Sequence, residues 1–178
     1  MFTLFSCSAE RGFLKQPDFD TTVRIQAHIP ARFDAMWETI ALPVTPTPSL
    51  IIVGLITLIA FFNKRIRFRA FLIPILFGLL VMGELYGKSV VHHPAPPFFM
   101  IKNPTTIFPQ FYINEQFSYP SGHTARAVFL GLVFYSLFVK KKLKLLAALG
   151  VFTYIIVVAT GRIYLGHHWL SDIIGGHY

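Results

Sequence analysis

Apolar residues in this chain fall into long blocks rather than the short stripes of a water-soluble core. Residues 49–62, with 44 as the earliest start, then 70–87, 120–139 and 143–160 each read as a nearly unbroken apolar run. Runs of this length are read as membrane-crossing helices. Pro74 and Glu84 interrupt the second run. A fifth run opens at Trp169 and reaches Tyr178. It supplies ten residues where a full crossing takes about 20, so the last helix is expected to be cut short. Residues 1–48 have a different texture. Val23, Ile25, Ile29, Phe33, Met36, Trp37 and Ile40 mark an amphipathic or surface segment, and the prolines at 43, 46 and 48 then break any helix. Residues 92–119 form a loop rich in proline and aromatic residues. The expected architecture is an all-α, polytopic membrane helical bundle. Residues 1–48 form an extracytoplasmic surface segment and 49–178 the helical core.

Charge sharpens this picture. Lys+Arg number 16 against 8 Asp+Glu, which by itself would admit a nucleic-acid binder. However, Lys64, Arg65, Arg67 and Arg69, with Lys140, Lys141, Lys142 and Lys144, supply eight of the sixteen in two short turns between apolar runs. That is the positive-inside pattern of cytoplasmic loops. Charged residues make up 13 % of the chain, about half the share of a soluble domain, and hydrophobic types 54 %. The single cysteine, Cys7, excludes an intrachain disulfide and a cysteine-based zinc site. With both basic turns in the cytoplasm, the opposite helix ends face outward. Residues 1–48 would then also lie outside, and an upstream helix is expected to be missing.

Three polar clusters fall on that outer side. Lys88 follows Glu84 by four residues, the spacing of an ordinary helix salt bridge. Pro120-Ser121-Gly122-His123 opens the third run. Proline and serine suit a helix start, free amides there bind anions, Gly122 allows close approach, and His123 can exchange a proton. On these four residues alone, an interfacial histidine at a plain helix start is as good a reading. The third cluster holds Arg162, His168 and Asp172. His168 and Asp172 are four apart, one face of a helix, and a carboxylate on one ring nitrogen leaves the other as nucleophile or base. Arg162 offers a fork for phosphate oxygens; the plainer alternative is a snorkelling arginine paired with Asp172.

Taken together, these clusters resemble the type 2 phosphatidic acid phosphatase superfamily, the membrane lipid-phosphate phosphatases related to vanadium haloperoxidases. The family pattern runs Lys, six residues, Arg-Pro; then Pro-Ser-Gly-His; then Ser-Arg, five residues, His, three residues, Asp. Pro120–His123 matches fully, and Arg162, His168 and Asp172 match with Gly161 in place of serine. Lys88 and Pro96 match with Ala95 in place of arginine. Relative to the family's six-helix core, the chain reads as truncated at both ends. The resemblance implies that His168 attacks phosphorus, Asp172 orients it, and His123 protonates the leaving oxygen. Lys88, Arg162, Ser121 and Gly122 would bind the phosphoryl group. It implies no metal and no cofactor, and a lipid phosphate or diphosphate as substrate.

Ala95 removes one phosphate contact. Arg126, one turn after His123, is the auxiliary candidate to replace it, with His92 and His93 behind it. The bland reading of Arg126 is interfacial snorkelling. His167 falls off the face shared by His168 and Asp172. Two other readings compete. One is a metal site built from His92, His93, His123, His167 and His168. The other is an inactive or truncated lipid-phosphate binder. A lipid phosphotransferase would use the same site. The sequence does not choose the lipid or the oligomeric state.

Overall fold

The computed structural model describes residues 2–64, 66–102 and 117–176. Much of the proline-rich loop, Arg65 and Tyr178 lie outside them. The described residues are helical, with no strand among them. Three short helices come first: α1 (Phe2–Glu10), α2 (Lys15–His28) and α3 (Asp34–Ala41). The long helix α4 (Pro46–Phe62) follows, then the single turn α5 (Arg67–Ala70) and α6 (Leu72–Val90). The chain ends in α7 (Gly122–Phe138), α8 (Lys144–Tyr164) and the short α9 (Leu170–Gly175).

The expected runs 49–62, 70–87, 120–139 and 143–160 correspond to α4, α6, α7 and α8, with shifted ends. Pro74 does not interrupt α6. It falls in the first turn, where its missing N–H costs no hydrogen bond. The prolines near residue 45 do mark a break: α3 and α4 meet through a turn at Leu42–Val44 and are bent by 43°. Leu72–Val90 and Lys141–Tyr164 are long and apolar enough to cross a membrane, and the bent pair Ala31–Val44 with Pro46–Phe62 would make a third span. Gly122–Phe138 is a shorter apolar helix.

Burial follows the logic of a bilayer. Leu50, Leu55, Ile59, Ile75, Leu79 and Leu149 are exposed, which in water would be a severe cost. Small clusters hold the helices together. Val53, Ala60, Ile73 and Phe77 join α4 to α6, and Ala127, Ile155 and Val158 join α7 to α8 under Ala41 and Val44. This is a membrane protein. Short turns join α4 to α6 and α7 to α8, so each pair is antiparallel and the molecule has two unlike ends. The two basic turns, after α4 and after α7, share one end. The start of α4, the end of α6, the start of α7 and the end of α8 share the other.

The N-terminal helices cover that second end, with α1 on α9, α2 on α8 and α9, and α3 on α8. Ile25 and Ile40 of the expected apolar stripe do join core clusters. Val23 and Met36 are exposed, however, while Asp18, Thr22 and Glu38 are buried. The surface these helices meet is polar, so polar positions turn inward.

The end of α8 fixes what comes next. Gly166 N–H bonds Ile163 O at 3.0 Å and His167 N–H bonds Arg162 O at 3.0 Å, the paired bonds of a Schellman turn. Gly166 takes φ +71°, and a β-carbon there would run into the Met100 carbonyl. A left-handed non-glycine residue costs about 1–2 kcal/mol before any clash. Gly166→Ala is therefore expected to lower the melting temperature of the detergent-solubilised protein. Gly150→Ala, at a helical position with open space around it, should not. Equal melting of the two variants would show that this turn is not under the stated constraint.

Candidate functional site

The turn closed by Gly166 delivers His167 and His168 to the polar end of the bundle, and α9 starts two residues later. His168 Nδ1 lies 3.3 Å from Asp172 Oδ2, and the same oxygen accepts the Trp169 N–H at 2.9 Å. The four-residue spacing thus works through a loop and a helix cap. His168 precedes α9, so the two residues do not share a helix face as the sequence reading had it. Asp172 is fully buried, and Ser121 N–H donates to its backbone carbonyl at 2.9 Å, tying α9 to the start of α7.

Ser121 caps α7, accepting weakly from Thr124 N–H at 3.5 Å. Pro120 lies before the cap, outside the helix, and follows Tyr119 through a cis peptide bond. His123 is in the first turn, and its ring faces that of His168 at 5.9 Å between centroids. From α6, the Glu84 carboxylate reaches this same helix start. A β-carbon on Gly122 would run into it. Glu84 binds Lys88 at 2.7 Å and Arg126 at 2.5 Å.

Arg126 is 4 % exposed, which overturns the snorkelling reading. Its Nε donates to Val44 O at 2.7 Å, and it belongs to the same ionic cluster as Lys88. The salt bridge expected of Lys88 is present, but it is shared. Arg162 is 1 % exposed and pairs with Glu38 of α3 at 2.6 Å, not with Asp172 and not with solvent. A second Arg162 nitrogen donates to His167 Nδ1 at 3.0 Å.

Gly161 also has a local cause. A β-carbon there would come within 2.8 Å of the Trp37 ring, which packs onto α8 beside Tyr164. Ala95 sits in a stretch pinned by Trp169 Nε1, which donates to Pro94 O at 2.7 Å.

Neither His92 nor His93 joins the Lys88 cluster. His92 is exposed and stacks near Phe117. His93 is buried on the far side of Asp172, with Nδ1 at 3.1 Å from Oδ1. No group of three metal-ligating side chains forms among the described residues.

Two residues escaped the sequence reading. Asp18 accepts both the N–H and the hydroxyl of Ser171, at 2.8 and 2.7 Å, and Glu38 pairs with Arg162. Each lies more than 100 residues from its partner. A buried basic group at the end of α8 demanded an acid, but nothing local said which one.

Burial also sets the protonation of the loop groups. It pushes His168 below the ordinary histidine range, with Asp172 opposing. Burial and then the Arg162 charge push His167 down to about 3. Burial raises Asp18, against its two bonds from Ser171. Four buried side-chain atoms lack a hydrogen-bond partner among the described residues, and all belong to this end: Trp37 Nε1, Arg162 Nε, His167 Nε2 and Asp172 Oδ1.

Comparison with known proteins now bears on the site. A search of curated proteins returned no significant match. Among solved structures, the fold is similar to the crystal structure of a transmembrane PAP2 type phosphatidylglycerolphosphate phosphatase from Bacillus subtilis. The TM-score is 0.79 at 18 % identity, covering 98 % of this chain and 84 % of that one. The family model of the PAP2 superfamily matches residues 68–178, more than half of the chain and the part that carries Lys88, His123, Arg162, His168 and Asp172. The chain belongs to the PAP2 superfamily.

Proposed function

We propose that this protein is an integral-membrane phosphatase that hydrolyses a lipid phosphate or diphosphate through a phosphohistidine. The observation that carries this reading is the His168–Asp172 contact facing His123, on the helix end that also bears Lys88 and Arg162. In the proposed reaction His168 Nε2 attacks phosphorus while Asp172 holds the Nδ1 proton. The bond to the leaving lipid oxygen breaks, and His123 gives that oxygen a proton. His123 then takes a proton from water, which attacks the phosphohistidine and releases inorganic phosphate. Lys88, Arg162 and the Gly122 amide stabilise the phosphoryl charge, whereas the Ser121 N–H expected to join them is taken by the Asp172 carbonyl. Arg162 Nε is buried without a partner among the described residues, so this end of the bundle holds one donor that its own side chains leave unused.

The substrates that fit are phosphatidic acid, phosphatidylglycerol phosphate and a polyprenyl diphosphate. The substrate of the Bacillus subtilis neighbour makes the second the first to try. Phosphate release by purified protein is expected to survive EDTA, to disappear in His168→Ala and to persist at a reduced rate in His167→Ala. Loss of release in EDTA would sink the metal-free mechanism. Release only in the presence of an alcohol acceptor would make the protein a phosphotransferase. Lipid binding without turnover would make it a binder.

Arg126 is proposed to replace the cation absent at Ala95. It shares Glu84 with Lys88, so a phosphoryl group that draws on Lys88 reaches Arg126 by the same route. Arg126→Ala should lower kcat/KM by about ten- to a hundredfold, the range for one charge-assisted hydrogen bond, with partial recovery in Arg126→Lys. Unchanged kinetics in Arg126→Ala would remove this role.

The site is proposed to face outward, on the strength of the basic turns at the other end. In a Cys7→Ser background, a cysteine at Phe99 should react with a membrane-impermeant maleimide on intact cells, and one at Lys142 should not. The opposite pattern would place the site in the cytoplasm.

A further inference from the structure

Behind the His168–Asp172 pair lies a second buried histidine with an acid of its own. His93 is 2 % exposed. Its Nδ1 is 3.1 Å from Asp172 Oδ1, in ion-pair reach although not in line for a hydrogen bond. Its Nε2 is 3.7 Å from Asp18 Oδ2 and 3.4 Å from Ser171 Oγ. Asp18 is itself buried and fixed by both Ser171 donors. The loop holds the ring in place: Ser118 N–H and its hydroxyl both donate to His93 O, at 3.0 and 3.1 Å. Ser118 Oγ also lies 3.4 Å from His93 Nδ1, and the Tyr119 ring meets the imidazole edge-on.

The order in space is therefore Asp18, His93, Asp172, His168, acid alternating with imidazole. The two oxygens of Asp172 are divided between the two histidines. Oδ2 serves His168 and the Trp169 N–H, and Oδ1 faces His93. Both nitrogens of His93 face carboxylate oxygens, Nδ1 that of Asp172 and Nε2 that of Asp18. A carboxylate shared in this way is held in orientation and kept ionised, which is what a partner for His168 Nδ1 needs when positive charge builds on that ring.

We propose that His93 is a positioning residue of the proposed reaction. Anchored by Asp18 of the N-terminal segment, it holds Asp172 for His168 and does not itself touch substrate. This rests on the phosphohistidine reading above. It also gives the N-terminal helices a part in the reaction, since Asp18 lies on α2.

The test is a double-mutant cycle on the full-length protein in detergent, with phosphate release from phosphatidylglycerol phosphate and from phosphatidic acid as readout. His93→Ala should lower kcat about ten- to a hundredfold with KM within twofold. His93→Gln, which keeps a donor, should recover part of that loss. In an Asp172→Asn background, His93→Ala should change kcat by less than about twofold, because its effect passes through Asp172. A His93→Ala kcat within twofold of the parent overturns the proposal, and so does a loss that multiplies with that of Asp172→Asn. If His93→Ala does not fold, the same cycle is run with His93→Gln and Asp18→Asn, and full additivity overturns the proposal. A parent inactive on both lipids overturns the phosphatase reading and this one with it. An active parent with a silent His93 overturns this one alone.

Discussion

Charge held out of water at one end of an apolar bundle is the constraint on which the rest of this structure depends. Asp18, Glu38, Arg126, Arg162 and Asp172 are all buried, and Glu84 is nearly so. A buried ion left alone is expensive; removing one partner of such a pair costs about 3–5 kcal/mol. The long helices do not supply all the partners. Arg162 on α8 finds its acid on α3, and Ser171 on α9 finds its carboxylate on α2. The N-terminal helices are thus joined to the bundle by ionic and hydrogen-bonded contacts as well as apolar ones. Their composition follows: Asp18, Glu38 and Thr22 turn inward, while Val23 and Met36 remain outside.

How much of this was legible in the sequence depends on the range of each signal. The four long helices could be read from apolar blocks, because a lipid-facing helix needs little beyond local composition. The positions of His123, Arg162, His168 and Asp172 could be read because their spacing is local and sits at helix ends. Even there the geometry behind the spacing was different. His168 and Asp172 meet across a loop and a cap, since the Gly166 turn ends α8 before His168 and α9 begins after it. Asp18, Glu38 and the placement of His93 were out of reach, because each depends on contacts between segments far apart in the chain.

One missed signal was present. In the sequence, Glu84 interrupts an apolar run at the spacing of a salt bridge to Lys88, and Arg126 lies one turn after His123 in the next run. Each alone suggests an interfacial side chain. An acid inside one apolar run and a base inside the next, both near the same helix ends, are better read as a buried pair. The departure at Gly161 belongs to the same lesson. It read as a weakness in a motif, whereas locally it is a fit to Trp37, a residue more than a hundred positions earlier.

The proposed chemistry and the buried-charge constraint meet at Glu84. Its carboxylate lies against Gly122 at the start of α7, bound to Lys88 and Arg126, where a helix end and two cations would otherwise favour an incoming anion. Such a carboxylate keeps both cations aligned, so in the proposed reaction little reorganisation is needed when phosphoryl charge develops. In the proposed reaction it also competes with the substrate for them. A phosphate monoester carries more charge than a carboxylate and offers more acceptor oxygens, so it can take over the cations where a neutral or singly charged head group would not. In the proposed reaction, the residue that keeps these cations from standing unpaired in an apolar bundle would also select for a highly charged head group. In that reading the same balance would temper ground-state affinity, leaving more of the available interaction to the transition state, where charge on the transferring group is greatest.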